Sequence, residues 1–249
     1  MRPWDLLLIP AGFAGGLLNS AADGGSLITF IVLGILTGTP LAANATNLMA
    51  VPFSYARALL RYQASREHAW LLLSAACGCA TGVLLLAYAG NAAFATAAPW
   101  LVLGAALMLL GEPLVRRLRR SNDDTVTVGS SVHAPTCVGL FCVSIYAGVF
   151  GASFGTLVLA VFVLIAALPL DDATARLKNT VCLTTSVVGL VAIPLLRLPV
   201  NWPLFALLIV PMFTGGWLGE RLLTRWPRQR IRAVAIVVSL AGAARLFIT

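Results

Sequence analysis

Apolar residues run along this chain in long blocks separated by brief polar or glycine-rich stretches. The pattern shows neither the alternation of a strand nor the single apolar stripe of a soluble helix. Ten blocks are legible, at about 4–22, 25–37, 41–60, 69–88, 95–111, 136–152, 155–169, 173–196, 202–220 and 231–248. A helix crossing the hydrocarbon of a bilayer needs about 20 apolar residues, so these blocks predict an all-α, polytopic membrane protein. Blocks 2 and 7 are short, roughly 20 Å of helix against a core of about 30 Å. Each follows its predecessor after only a few residues, Asn19-Ser20-Ala21-Ala22-Asp23-Gly24-Gly25 and Gly151-Ala152-Ser153-Phe154-Gly155. So tight a joint predicts a hairpin whose tip lies inside the membrane, although two full crossings would leave the flanking charges on the same sides.

The long polar interruption is 112–133, where Glu112-Pro113 is expected to end a helix and Arg116, Arg117, Arg119, Arg120, Asn122, Asp123 and Asp124 follow. It divides the chain into a first transmembrane repeat at 1–111, a cytoplasmic linker at 112–133 and a second repeat at 134–249. The halves resemble each other weakly. Gly25-Ser26-Leu27-Ile28 aligns with Gly155-Thr156-Leu157-Val158, Asn47 falls near Asn179, and Ala80-Thr81-Gly82-Val83 aligns with Phe213-Thr214-Gly215-Gly216. Basic residues cluster at 57–66, 116–120, 176–178 and 221–232, whereas the loops near 38–40, 89–94 and 198–201 carry none. If every block crosses, the clusters share one side, which the positive-inside rule makes cytoplasmic. Five crossings per half then predict two inverted repeats, a common plan of transporters.

Composition sharpens this picture. Hydrophobic residues are 59% of 249 and charged residues 10%, which excludes an ordinary soluble domain. The net charge of +8 is explained by the one-sided clusters, and no basic run is interleaved with aromatics, so nucleic acid is not an expected partner. Cys77, Cys79, Cys137, Cys142 and Cys182 lie in or beside apolar blocks without metal-ligand spacing and are read as packing residues. The first block, with Arg2 before it and Ala22 near its end, could pass for a signal peptide; Asp5 and the immediate second block favour a retained segment.

Candidate chemistry gathers at the hairpins and at the helices after them. Gly24, Gly25 and Ser26 open block 2, where close backbone approach and helix-start amides suit an anion. Gly151, Ser153 and Gly155 are their second-half counterparts. Added bulk at Gly25 or Gly155 is therefore expected to abolish binding in a folded, inserted protein. The pairs Gly12/Gly16, Gly34/Gly38, Gly78/Gly82, Gly151/Gly155 and Gly215/Gly219 have the spacing of close helix packing. Asn44, Thr46 and Asn47 offer neutral donors for an oxyanion or, equally, interhelical hydrogen bonds; Pro52 is expected to kink their helix. In Arg176-Leu177-Lys178-Asn179-Thr180, Lys178 and Asn179 are placed at the site and Arg176 nearer the surface. Asp23 is either a coupling acid or an N-cap for block 2; the cap is preferred, because a fixed carboxylate repels an anion. Asp171 and Asp172 are read as caps of block 8. His68 and His133 fall in expected loops, and no nucleophile, phosphate-loop or metal motif occurs, so neither an enzyme nor a cofactor is expected.

Taken as a set, six stretches resemble the sulfite exporter TauE/SafE family of small bacterial membrane transporters. They are Gly24-Gly25-Ser26-Leu27-Ile28-Thr29-Phe30, Ala42-Ala43-Asn44-Ala45-Thr46-Asn47, Tyr146-Ala147-Gly148-Val149-Phe150-Gly151-Ala152, Leu177-Lys178-Asn179, Val200-Asn201-Trp202-Pro203 and Gly215-Gly216-Trp217-Leu218-Gly219-Glu220-Arg221. The resemblance spans about residues 12–246. It implies a duplicated helical transporter of the bacterial inner (cytoplasmic) membrane, moving sulfite, a sulfonate or sulfoacetate, with export by ion coupling as the expectation. Its partners would be that anion and the lipid bilayer; the oligomeric state, homodimer included, stays open. A passive anion channel and a non-transporting membrane protein are the rival readings. Two departures stand out: Asp23 occupies a position where members commonly have another glycine, and Ala152-Ser153-Phe154-Gly155 is bulkier than usual.

Overall fold

The computed structural model describes residues 3–61, 66–121, 134–169 and 171–222, and all regular structure among them is helical. A 3-10 turn at Pro3–Leu7 leads into α1 (Leu8–Ala22), followed by α2 (Gly25–Thr37), α3 (Pro40–Ser54), α4 (Ala56–Arg61), α5 (Arg66–Ser121), α6 (Ala134–Val149), α7 (Phe154–Leu164), α8 (Asp172–Leu195) and α9 (Trp202–Leu222). The first nine apolar blocks fall on these helices; the tenth, 231–248, lies outside the described residues, as does His133. Three stretches are long and apolar enough to cross a membrane: His68–Met108, Asp172–Leu195 and Trp202–Gly219. Trp4, Trp70 and Trp202 stand exposed near helix starts, and Leu195 and Val210 are exposed on outer faces, as lipid-facing side chains are.

Local chemistry accounts for the helix ends. Gly38 closes α2 with φ of 70°, its N–H donating to Gly34 O. Pro40 opens α3 at a position where the missing donor has no consequence. Pro52 precedes the break at Tyr55, whose N–H donates to Pro52 O before α4 begins. Asp171 caps α8 by accepting from Thr174 N at 2.8 Å, and Asn201 Oδ1 accepts from Leu204 N at the start of α9.

Glycines set the principal crossings. The first helix of the chain packs on the last described one: Gly16 lies against the Met212 backbone, Gly215 against Phe13 O and Gly219 against Leu17. The helix after the polar interruption packs in the same manner on α5, with Gly78 against Phe141 O, Gly82 against Ile145 O and Gly148 against Cys79 O. A methyl at any of these would collide with a neighbouring backbone, so the crossings need hydrogen at Cα. The two halves are thereby interleaved.

Several expectations require correction. The loop at 89–94 shrinks to one non-helical residue, Gly90 (φ 70°, ψ −177°), which divides α5 into two helical runs in a conformation open to glycine and resisted by side chains. Glu112-Pro113 does not end its helical run, which continues to Ser121; His68 lies in the first turn of the run before Gly90 rather than in a loop. Gly34 and Gly38 have nothing packed against them. Of the cysteines, Cys79 and Cys182 are buried, whereas Cys77 and Cys142 are exposed.

Candidate functional site

The first hairpin tip is two residues long. After α1 ends at Ala22, Asp23 (φ 59°, ψ 155°) and Gly24 (φ 95°) reverse the chain into α2. Gly24 is suited to its left-handed backbone, but Asp23 holds a conformation that side chains resist. Its carboxylate faces Lys178 of α8, whose Nζ donates to Oδ2 at 2.7 Å and Oδ1 at 2.9 Å. Tyr55 OH donates to Oδ1 at 3.4 Å. Asp23 is 5% exposed and Lys178 8%, so both charges are withdrawn from solvent and depend on each other.

This arrangement corrects two expectations. Asp23 is not the N-cap of α2: Gly24 holds that position without a side-chain bond, and Ser26 N donates instead to Asn19 Oδ1 at 2.8 Å. Nor does Lys178 await an anion as a lone cation, since it is held by a carboxylate from the other half. Arg176, two residues nearer the start of α8, is exposed as expected.

The second tip is longer. Between α6 and α7 the backbone turns through Gly151 (φ 73°) and Ser153 (φ 60°). Tyr146 OH donates across it to Ala152 O at 2.8 Å, and Asn44 Nδ2 reaches from α3 to Val149 O at 2.8 Å. At the start of α7, Gly155 abuts the Asp23 carboxylate so closely that a methyl there would overlap it. The two tips therefore meet, and what lies between them is the Asp23–Lys178 pair. Amides expected to face an anion are engaged within the protein: Ser26 N with Asn19, Phe154 N with Gly151 O, and Thr156 N with Ser153 O. Gly25 serves a different end, lying against Gly15 O and Asn19 N to bring α2 onto α1.

The polar residues of α3 act as interhelical ties. Asn47 Oδ1 accepts from Thr29 Oγ1 at 2.5 Å while its Nδ2 donates to Ser26 O at 3.0 Å. Thr46 Oγ1 accepts from Asn201 N at 3.0 Å. Second-half atoms contrast with these: Ser153 Oγ, Thr156 Oγ1 and Asn179 Oδ1 are buried without a protein hydrogen-bond partner, as is Asn44 Oδ1. Beside the second tip lies a small cavity of about 20 Å³, lined among others by Leu48, Cys79, Gly151, Phe154, Thr185 and Ser186, roomy enough for one water.

Of the sequence-derived candidates, Asp23, Gly155 and Lys178 come together directly; Gly24 and Ser26 build the first tip, and Gly151 and Ser153 the second. Sequence reasoning missed Asn19, Thr29, Tyr55 and Thr156. Thr156 was marked by its alignment with Ser26, and Asn19 by its polarity within an apolar block. Tyr55 carries no signal beyond following Pro52. Among the described residues, no group of His, Cys, Asp or Glu side chains could hold a metal ion.

Arg57 and Arg221 both lie over the Trp217 ring, at 5.2 and 5.6 Å from its centroid. Arg57 of α4 and Arg221 of α9 are thus brought together, and α4 also packs on α8, which carries Arg176.

A family model described as sulfite exporter TauE/SafE matches residues 8–246. The chain is also 29% identical over 245 residues to a protein of Sinorhizobium sp. named probable membrane transporter protein ORF9, a match covering 96% of this chain and 90% of that one. No solved structure matches the chain.

Proposed function

The chain belongs to the sulfite exporter TauE/SafE family, and from that premise we propose that it is a secondary transporter exporting a small sulfur-containing anion by alternating access with ion coupling. That it is a membrane transporter follows from the family and the relative; the family is not a class of enzymes. The substrate is sulfite or an organosulfonate such as sulfoacetate, and the membrane is the bacterial inner membrane, crossed several times.

One observation carries the reading. Two broken-helix tips from different halves of the chain meet over a buried ion pair, Asp23 with Lys178. Ionisable groups are costly within a membrane and mark substrate or ion pathways there. A passive pore has no need of a buried acid joined to a buried base, whereas an ion-coupled carrier needs a group that exchanges partners. Inverted five-segment repeats at 1–111 and 134–249 fit the reciprocal crossings of α1 on α9 and α6 on α5, and the basic ends of α4, α8 and α9 fit a common cytoplasmic face.

The test is flux in proteoliposomes of purified protein, with sulfite, methanesulfonate, taurine, sulfoacetate and sulfate compared. Saturable movement of at least one sulfonate or sulfite, blocked by excess of the same unlabelled anion, is expected. Movement of none of them would remove the transport reading; non-saturable movement of all would favour a channel.

A further inference from the structure

We propose that the Asp23–Lys178 pair is a proton-operated latch: an anion reaches Lys178 only when a proton has neutralised Asp23, so that one proton and one monovalent anion cross together. This rests on the transport reading above and names its coupling ion, its stoichiometry and the charge of its substrate; because proton and anion move together, export runs only where the outward anion gradient exceeds an inward proton gradient.

The groups facing the Asp23 carboxylate define the choice. From α8 come Lys178 at 2.7 Å and, one turn on, Cys182; from the α3–α4 junction comes Tyr55 at 3.4 Å, which shares a packed cluster with Cys182. The neighbouring elements α7 and α1 present Gly155 and Asn19, which carry no charge. Lysine, tyrosine and cysteine side chains are protonated in neutral water, so the carboxylate is the group left to take up a proton. The steps balance simply. A proton from the aqueous side binds a carboxylate oxygen of Asp23; Lys178 keeps its own proton and its positive charge; an anion oxygen then accepts hydrogen bonds from Nζ where the carboxylate did. No bond other than O–H forms or breaks.

Charge decides which forms can move through the membrane interior. With Asp23 ionised and no anion, the site is neutral. With Asp23 protonated and a monovalent anion bound, it is neutral again. The two mixed forms, anion beside ionised Asp23 or Lys178 beside protonated Asp23 with no anion, each leave one uncompensated charge where desolvation is severe. Only the neutral forms are therefore passed from one face to the other. Transport is electroneutral, its direction follows the sum of the proton and anion gradients, and a divalent anion is disfavoured because it leaves the site negative, so among the proposed substrates the latch selects hydrogen sulfite or a singly charged sulfonate over the dianion sulfoacetate. The close approach of Gly155 to the carboxylate makes the second tip sense which form is present, since the volume beside that glycine is occupied by Asp23 when the pair is closed.

The experiment uses full-length protein in liposomes with radiolabelled methanesulfonate, whose charge does not change over the working pH range, and an entrapped pH dye. For the unaltered chain, an inward acid gradient should drive net uptake, protons should enter in about equal number, and a potassium–valinomycin potential should leave the rate unchanged. Sulfate should move at about a tenth of the methanesulfonate rate or less, reflecting its extra buried charge. Asp23→Asn imitates the protonated acid permanently. It should lose net uptake by about a hundredfold, because its empty form carries a buried charge, while still exchanging internal for external methanesulfonate without dependence on pH. Uptake by the unaltered chain that ignores the acid gradient, or brings in no protons, overturns the latch even if Asp23→Asn fails to fold. So does net uptake by Asp23→Asn at the original rate. Those results leave transport itself standing, whereas absence of any methanesulfonate or sulfite movement in either mode removes the transport reading and the latch together.

Discussion

At the first tip, the Ser26 peptide is held from both ends, its N–H by Asn19 and its carbonyl by Asn47, and Thr29 completes the set. At the second tip, Ser153 Oγ and Thr156 Oγ1 are buried without protein partners, and Asn179, aligned near Asn47, leaves its Oδ1 likewise unmatched. A buried polar group without a bond is disfavoured by about 1–3 kcal/mol, so the two halves differ in local stability although they share a plan. The lesson is a division of labour. The first tip is a fixed frame carrying the acid, and on the transport reading the second tip is the part whose polar atoms are left for a substrate or for movement.

The largest expected effect comes from breaking the pair that joins the tips. Lys178→Ala leaves Asp23 buried without its cation and should lower stability by about 3–5 kcal/mol, with transport lost. Arg176→Ala, on the exposed face of the same helix, should change stability by less than about 0.5 kcal/mol and leave transport largely intact. Thermal unfolding in detergent and flux at matched membrane abundance measure both; equal losses in the two variants would take Lys178 out of the site.

Next comes the contrast between two glycines that align in sequence. A methyl at Gly25 meets the backbone of Gly15 and Asn19, which cannot yield without parting α1 from α2, so Gly25→Ala should reduce folded yield severely. At Gly155 the obstacle is the Asp23 side chain, so Gly155→Ala should fold with about 1–3 kcal/mol of overpacking and fail in transport. With Asp23→Gly already in place, which itself leaves Lys178 without its counter-charge, Gly155→Ala should lose its destabilising effect. If it does not, the tips do not meet through the carboxylate.

Smaller effects sharpen the comparison further. Asn47→Ala removes the ties to Thr29 and Ser26 and should cost about 1–2 kcal/mol, within the range of hydrogen bonds between membrane helices. Thr156→Val, replacing a hydroxyl with no protein partner, should move stability by no more than about 0.5 kcal/mol yet change the apparent affinity for the transported anion. A Thr156→Val protein as destabilised as Asn47→Ala would show the second tip to be tied as firmly as the first.

What the sequence revealed follows from what acts locally. Hydrocarbon thickness dictates apolar length, so α2 could be bounded at 25–37 and the brevity of α7 foreseen. Asp171 was legible as a cap because its partner, Thr174, is three residues away. Asp23 misled for the same reason: a carboxylate before a helix is a cap by local rule, and only the folded chain brings Lys178, 155 positions on, within 2.7 Å. Gly25 and Gly155 look equivalent in sequence because hydrogen at Cα says nothing of which neighbour needs the space. The separation of blocks 4 and 5 was legible, since Gly90 divides two helical runs, whereas the helical run through Pro113 was hidden because apolar periodicity stops where that helix turns polar.

The reciprocal crossing of α1 on α9 and of α6 on α5 bears on how the molecule is made. A ribosome delivers α1 first and α9 only after every other described helix, so the glycine face of α1 has no partner for most of synthesis. The insertion machinery must therefore hold an early helix in reserve while α6, by contrast, emerges to find α5 already present. A half-chain ending in the polar interruption would keep α1 on α2 but leave its α9-facing side uncovered, while the two halves made as separate polypeptides have complementary faces through which to reunite.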